Sequence, residues 1–319
     1  MKIVVLDGFA ANPGDLSWEP FEAFGEVTVY DRTAPAEVIS RIGHAEVVIT
    51  NKVVLSEEVF RACPSIRFVC ECATGYNNID IAAARERGIP VSNVPAYSSA
   101  SVAQMVFSFL LEIAHRVASH SDAVHQGRWT SCNDFCFLEH PIFELEGKTL
   151  GIIGYGDIGK KVATIAVSFG MNVLACSRTY RPELSTEHIN IVTQDEVLKG
   201  SDIITLHCPQ NPESQGLICR DTIARMKDGA IVINTARGGC VIEQEVREAL
   251  ESGKLAFYAA DVLSTEPPRA DNPLLGAPNA FITPHIAWMT IEARTRLLNT
   301  MLSNLKAFLD GTPINVVNP

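Results

Sequence analysis

The chain has 319 residues, 47% of them hydrophobic and 20% charged, with a formal net charge of −11. That size and balance suit a soluble globular protein of two domains, each able to bury its own core. The acidic excess argues against a general nucleic-acid binder, so an anionic ligand must be met locally, by Arg side chains and backbone N–H groups.

The opening MKIVVLDG already has the pattern of a strand, and no apolar run is long enough to span a bilayer. The expectation is a cytoplasmic protein. Nine cysteines is an odd count, and Cys70, Cys176 and Cys208 sit in apolar surroundings. Cys132 and Cys136 have no second Cys/His pair beside them, so reduced structural thiols and no metal are expected.

The first hundred residues alternate strand and helix signals. Strands are expected over 3–6, 27–30, 46–50 and 66–70, and helices over 37–42, 57–61 and 81–87. That alternation describes a small doubly wound α/β domain, whose ligands gather at the strand ends. Asn51-Lys52 and the loop 73–78 occupy such ends, and Gly75 could present adjacent N–H groups to a carboxylate. Residues 91–101, with Pro95 and several serines, read as a crossing between domains, with Ser101 as a helix cap. Val102, Met105, Val106, Phe109, Leu110, Ile113, Ala114 and Val117 then form one helical stripe, buried or packed on a partner subunit. The aromatic-rich stretch 127–145 is irregular.

Residues 148–178 carry the strongest signal. The apolar run 149–153 suits a buried parallel strand, Gly154-Tyr155-Gly156-Asp157-Ile158-Gly159 follows at once, and a helix and a second strand come next. In that context Gly154 allows the tight turn, Gly156 lets a pyrophosphate approach the backbone, and Gly159 lets helix and strand pack closely. The helix start offers unpaired N–H groups to phosphate. An NAD-type site usually has an acid at the end of the second strand. Here stand Ser177, Arg178 and Thr179, with no acid before Glu183. An Arg there pairs with the extra phosphate of NADP, so NADP(H) is favoured, with NAD as the alternative.

Strands are further expected over 203–206, 230–234, 257–260 and 281–283, and helices over 221–226 and 243–251. A final helix over 290–309 is long enough to return and complete the first domain. The expected division is a substrate domain over 1–99, completed by 287–319, and a dinucleotide-binding domain over 100–286. The fold class is α/β: two doubly wound parallel sheets, one a Rossmann unit, the other smaller and flavodoxin-like. Arg237, Glu266 and His285 each follow a late strand. In a doubly wound sheet such positions face one crevice. Arg binds a carboxylate in a forked geometry, His exchanges a proton near neutral pH, and Glu orients the imidazole and favours its charged form. Hydride exchange at a 2-oxo acid needs that set.

With these motifs in place, the chain resembles the D-isomer-specific 2-hydroxyacid dehydrogenases. The likeness runs nearly end to end: GYNNID at 75–80, GYGDIG at 154–159, LHCP at 206–209, NTARGG at 234–239, DVLSTEP at 261–267 and PHIAW at 284–288. DFCF at 134–137 and His140-Pro141 are similar to the glycerate dehydrogenase/hydroxypyruvate reductase branch. The resemblance implies that Arg237, Glu266 and His285 are catalytic. It implies cofactor contacts at Asp157 and Ile158, at Thr235, Ala236 and Asp261 beside the nicotinamide, and at His207 and Pro209 on the adenosine side. It also implies that Gly75 and Tyr76 hold the substrate carboxylate, together with Arg237 and His285. A homodimer using the long helix from Val102 is expected. The runner-up activity is that of a D-lactate-type dehydrogenase. From another class comes a dinucleotide-sensing corepressor of the same fold, which would bind nucleotide without turnover.

Overall fold

A computed structural model describes every residue from Met1 to Pro319. Its contacts divide the chain into two units, Met1–Ser98 with Trp288–Pro319, and Ser99–Ala287.

In the first unit the short apolar runs form five strands: β1 (Lys2–Val5), β2 (Glu26–Val29), β3 (Val47–Thr50), β4 (Phe68–Glu71) and β5 (Val91–Ser92). They pair in parallel in the order β2-β1-β3-β4-β5. A parallel sheet needs cover on both faces, and β3 and β4 are buried at every residue. The helices α1 (Val38–Ile42), α2 (Glu57–Ala62) and α3 (Ile81–Glu86) supply Val38, Ile42, Val59, Phe60, Ala83 and Ala84 to one face. The C-terminal helix Ile291–Leu309 supplies Leu297, Leu298, Met301 and Leu305 to the other, and Phe308 stacks on Phe68 at 4.6 Å. Each fully buried Val, Ile, Leu, Met or Phe side chain among these contributes about 1.5–3 kcal/mol, and each Ala less.

The order reverses between β1 and β3, where ligand crevices form in sheets of this kind. There Asp7 accepts the backbone N–H groups of Asn51, Lys52 and Val53, at 2.8, 2.6 and 3.1 Å.

The second unit begins with α4 (Ser99–His115) and α5 (Val117–His125). The apolar stripe of α4 is consumed inside the unit: Val106, Leu110 and Ile113 pack with Val162 and Ala166 in one core. Two expectations change here. Ser101 lies inside the helix rather than capping it, and its hydroxyl donates to the Ala287 carbonyl. Arg116 takes a left-handed backbone (φ 51°) that ends α4, so Val117 starts a new helix and is 63% exposed.

Seven parallel strands follow: β6 (Thr149–Ile153), β7 (Asn172–Cys176), β8 (Ile189–Ile191), β9 (Ile203–Leu206), β10 (Ala230–Asn234), β11 (Leu255–Ala260) and β12 (Ala280–Ile282). Their order is β12-β11-β10-β9-β6-β7-β8. Read from β8 to β11 this is the Rossmann order, with its switch between β6 and β9. The connecting helices are α6 (Asp157–Ser168), α7 (Gln194–Gly200), α8 (Arg220–Arg225) and α9 (Glu243–Glu251). The strand β8 and helix α7 were not expected from apolar periodicity. The signal for α7 is a capping box, in which the Thr193 hydroxyl accepts from Glu196 N and the Glu196 carboxylate accepts from Thr193 N at 2.8 Å. No helix is long and apolar enough to cross a membrane.

Candidate active site

Because every strand of the larger sheet is parallel, all its C-terminal ends lie along one edge. The residues after β6, β7, β9, β10, β11 and β12 are therefore neighbours along that edge, and they include every site residue expected in this unit.

The turn after β6 brings the first of these. Gly154 has φ 106°, and a Cβ there would lie 2.5 Å from the His207 carbonyl carbon, so the turn is pressed against the end of β9. A Cβ on Gly159 would lie 2.2 Å from the Gly154 oxygen, which fixes the closeness of α6 to β6. At Gly156, which caps α6, a Cβ would meet nothing within 4 Å. The Gly156 side of the α6 start is therefore open, the place where a pyrophosphate would approach the first helix N–H groups.

Along the same edge, Thr235 Oγ1 and His207 Nδ1 are buried polar atoms without a partner. His207 Nε2 is 3.0 Å from Thr205 Oγ1, and burial pushes its pKa down to about 3, so the ring is neutral. Buried orphaned polar atoms are costly unless a ligand meets them. After β7, the Ser177 hydroxyl donates to the Thr179 carbonyl at 2.7 Å, and Arg178 is exposed and unpaired. These features fit a dinucleotide. Pro209 lies exposed beyond β9.

The acid–base pair is assembled after β11 and β12. His285 Nδ1 is 2.6 Å from Glu266 Oε2, and Glu266 Oε1 accepts the Leu263 N–H at 3.1 Å. A carboxylate only accepts, so Nδ1 carries the hydrogen and Nε2 is the nitrogen left for a substrate. His285 has φ 56°, uncommon for a side-chain-bearing residue. Asp261 holds the backbone there. It is 1% exposed and accepts from Thr283 Oγ1 at 2.6 Å and from Ile286 N and Ala287 N at 2.8 Å each. Burial pushes its pKa up, and those three donors oppose the rise. Asp261 is thus a structural clamp on the His285 turn in addition to the expected place beside a nicotinamide.

Arg237 stands on the turn after β10. Asn234 shapes that turn: its Oδ1 accepts from Ala236 N and its Nδ2 donates to the Arg237 carbonyl, each at 3.0 Å. Arg237 Nη1 donates to the Ala236 carbonyl at 2.8 Å, which leaves the rest of the fork for a ligand. Gly238 joins this turn to the Glu266 loop, since a Cβ there would fall 1.9 Å from the Leu263 carbonyl carbon. Glu243 braces the same loop by accepting from Ser264 N and Ser264 Oγ, each at 2.8 Å. In the sequence Asn234 and Gly238 stand out only as members of the 234–239 motif and Glu243 not as a site residue, although an Asn closing a strand is a recognisable turn signal.

In the first unit, Gly75 and Tyr76 lie on the loop after β4, and their N–H groups donate to nothing in the chain. The loop itself is tied down at Thr74, whose hydroxyl donates to the Val94 carbonyl at 2.7 Å. Two adjacent amides left free in this way are hydrogen-bond donors available to an anion. Trp288 belongs to this unit, where it packs edge-on against Tyr97 at 6.3 Å.

Comparison with known proteins agrees in kind. A family model described as the NAD binding domain of D-isomer specific 2-hydroxyacid dehydrogenases matches residues 107–287. A hydroxypyruvate reductase of Blautia hydrogenotrophica is 52% identical over 321 residues, covering 100% of this chain and 100% of that protein. A glycerate dehydrogenase of Methylorubrum extorquens is 35% identical over 319 residues, covering 99% of this chain and 98% of its own. Among solved structures, an acyclic imino acid reductase in complex with NADPH and D-Arg superposes with a TM-score of 0.87 at 28% identity. That match covers 99% of this chain and 100% of the other.

Proposed function

The chain belongs to the D-isomer-specific 2-hydroxyacid dehydrogenase family, and from that premise we propose that it reduces small 2-oxo acids, hydroxypyruvate and glyoxylate foremost, to D-2-hydroxy acids with NADPH preferred over NADH. It is an oxidoreductase carrying a nicotinamide-dinucleotide domain. The observation that carries the proposal is the His285–Glu266 pair, 2.6 Å apart, with imidazole Nε2 free.

The unit Ser99–Ala287 is assigned to the dinucleotide and the unit formed by Met1–Ser98 with Trp288–Pro319 to the substrate. A bound nicotinamide supplies the hydride for the carbonyl carbon. The chain does the rest. Arg237 pairs its fork with the substrate carboxylate and draws electron density from the adjacent carbonyl. Gly75 and Tyr76 offer their free amides to the carboxylate. In its imidazolium form His285 keeps the Nδ1 hydrogen on Glu266 and gives its Nε2 proton to the carbonyl oxygen as that oxygen becomes a hydroxyl. In the reverse direction the neutral ring takes that proton back at Nε2. Glu266 keeps the ring in the required tautomer and orientation. Asp157 and Ile158 place helix N–H groups against pyrophosphate, and Thr235, Ala236 and Asp261 border the nicotinamide. His207 and Pro209 border the adenosine.

Exposed Arg178, unpaired and without an acid before Glu183, supports the preference for the extra phosphate of NADPH. We also assign a homodimer. The helix α4 is already buried, so the surface in need of cover is the segment after it. There Val117, Trp129, Phe135, Leu138 and Ile142 are 63%, 51%, 88%, 60% and 47% exposed. All nine cysteines are free, which suits a reducing cytoplasm.

The test is steady-state reduction of hydroxypyruvate, glyoxylate and pyruvate, each with NADPH and with NADH. A dominant hydroxypyruvate rate with NADPH is expected. Activity mainly on pyruvate or bulkier acids would move the chain to the D-lactate-type reading. Nucleotide binding without any turnover would support a dinucleotide sensor instead.

A further inference from the structure

A carboxyl group inside an apolar sheet is costly, and its retention calls for a reason. The strand β4 ends on Glu71, which is 0% exposed between buried Cys70 and Cys72. Its Oε1 has no hydrogen-bond partner, and its Oε2 accepts from Asn78 Nδ2 at 3.1 Å. Asn78 in turn donates to the Val53 carbonyl at 3.2 Å and accepts the Leu55 N–H at 2.9 Å. It is therefore the fixed far end of the loop after β4. The near end is fixed by Cys72, whose N–H donates to the Thr50 carbonyl at 2.7 Å and whose carbonyl accepts from Asn51 Nδ2 at 2.6 Å. Between these anchors stand Gly75 and Tyr76 with their unpaired amides.

We propose that Glu71 is the positioning residue for this loop, holding Asn78 so that the Gly75 and Tyr76 amides stay aimed at a substrate carboxylate. The inference rests on the assignment of that loop to substrate made above.

The surroundings of Glu71 make its charge matter. Burial is the largest influence and pushes its pKa well up; Asp7, after β1, adds to the rise, while the Asn78 bond and Lys52, after β3, oppose it. Its chain neighbours Cys70 and Cys72 have thiol pKa values raised by burial and stay neutral beside it. Glu71 thus keeps its proton to a higher pH than an exposed glutamate. Once ionised, it sets a second negative charge near Asp7 and beside a loop meant to receive an anion. Affinity for a 2-oxo acid should weaken as pH rises.

Two variants of the full chain decide this, Glu71→Ala and Glu71→Gln. They are read by KM and kcat for hydroxypyruvate from about pH 6 to about 9, and by hydrogen exchange of the amides at 75–78. Glu71→Ala should raise KM about tenfold, the scale of one buried hydrogen bond, with little change in kcat and faster exchange across the loop. Glu71→Gln keeps the acceptor for Asn78 and should restore KM while removing its rise with pH. Unchanged exchange in Glu71→Ala overturns the proposal, as does a Gln variant indistinguishable from Ala. Faster exchange with an unmoved KM would uphold the anchoring of the loop and overturn its assignment to substrate. The exchange measurement decides the anchoring even if hydroxypyruvate is not turned over.

Discussion

His285 Nδ1 and Glu266 Oε2 lie 2.6 Å apart, and the second oxygen of Glu266 is fixed by the Leu263 N–H. The carboxylate is thus aimed by backbone before it aims the imidazole. Changing Glu266→Gln keeps the volume but lets the amide present a hydrogen where Nδ1 needs an acceptor. The catalytic tautomer is then no longer selected. The expected result is a loss in kcat of about 10²-fold, the scale of positioned acid–base catalysis, with nucleotide affinity unchanged. Stopped-flow reduction and nucleotide titration check both halves.

The close approach of Gly238 to the Leu263 carbonyl ties the Arg237 turn to the Glu266 loop. A methyl group at this position cannot be absorbed by a flexible side chain, because the obstructing atoms are backbone. Gly238→Ala should therefore separate the guanidinium from the acid–base pair. We expect activity to fall far more than stability, which drops by about 1–3 kcal/mol as in other overpacked sites. Denaturant unfolding beside kcat/KM measures the difference. An active variant of ordinary stability would contradict the close packing.

Arg178 is exposed at the end of β7 and engages no carboxylate. If it receives the extra phosphate of NADPH, Arg178→Ala should raise KM for NADPH by about 10- to 100-fold, the worth of a hydrogen bond to a charged group. KM for NADH should stay nearly constant. Equal weakening of both cofactors would remove the phosphate pocket from the account.

The buried carboxyl of Glu71 also enters stability. Below the ordinary glutamate value of 4.5 both folded and unfolded states are protonated and the group contributes no slope. Above that value the unfolded chain releases the proton while the folded one, with its raised pKa, retains it. Stability then falls as pH rises until the folded value is passed, and the full penalty persists beyond it. Glu71→Gln should remove this slope and raise the melting temperature at neutral pH relative to the parent. Thermal melts across the pH range check the sign. A Gln variant no more stable than the parent at neutral pH would mean that Glu71 ionises freely.

Much of the edge after β6 was legible in the chain itself. Gly154, Gly156 and Gly159 are read from their spacing inside a local strand–helix–strand context. Only Gly159 answers a local contact, with the Gly154 oxygen. The close neighbour of Gly154 is the distant His207 carbonyl, and a Cβ on Gly156 would meet nothing within 4 Å. The β6, β7, β9 and β10 strands are short apolar runs whose burial follows from composition. The break at Arg116 was not legible, since an Arg in a left-handed conformation carries no propensity signal and the apolar pattern runs on through Val117.

By itself, then, the sequence determined the two α/β units, the glycine turn, the family and the identity of the polar residues that follow the strands. These depend on local periodicity and on residue chemistry. Tertiary structure alone decided which of those residues meet. The Glu266–His285 contact spans 19 positions, Asp261 reaches Ala287 across 26, and Asp7 caps the amides of a loop 44 to 46 positions away. The pairing of parallel strands brings such residues together. It also sealed Glu71 inside the sheet, where an acid that looks ordinary in the sequence cannot be solvated.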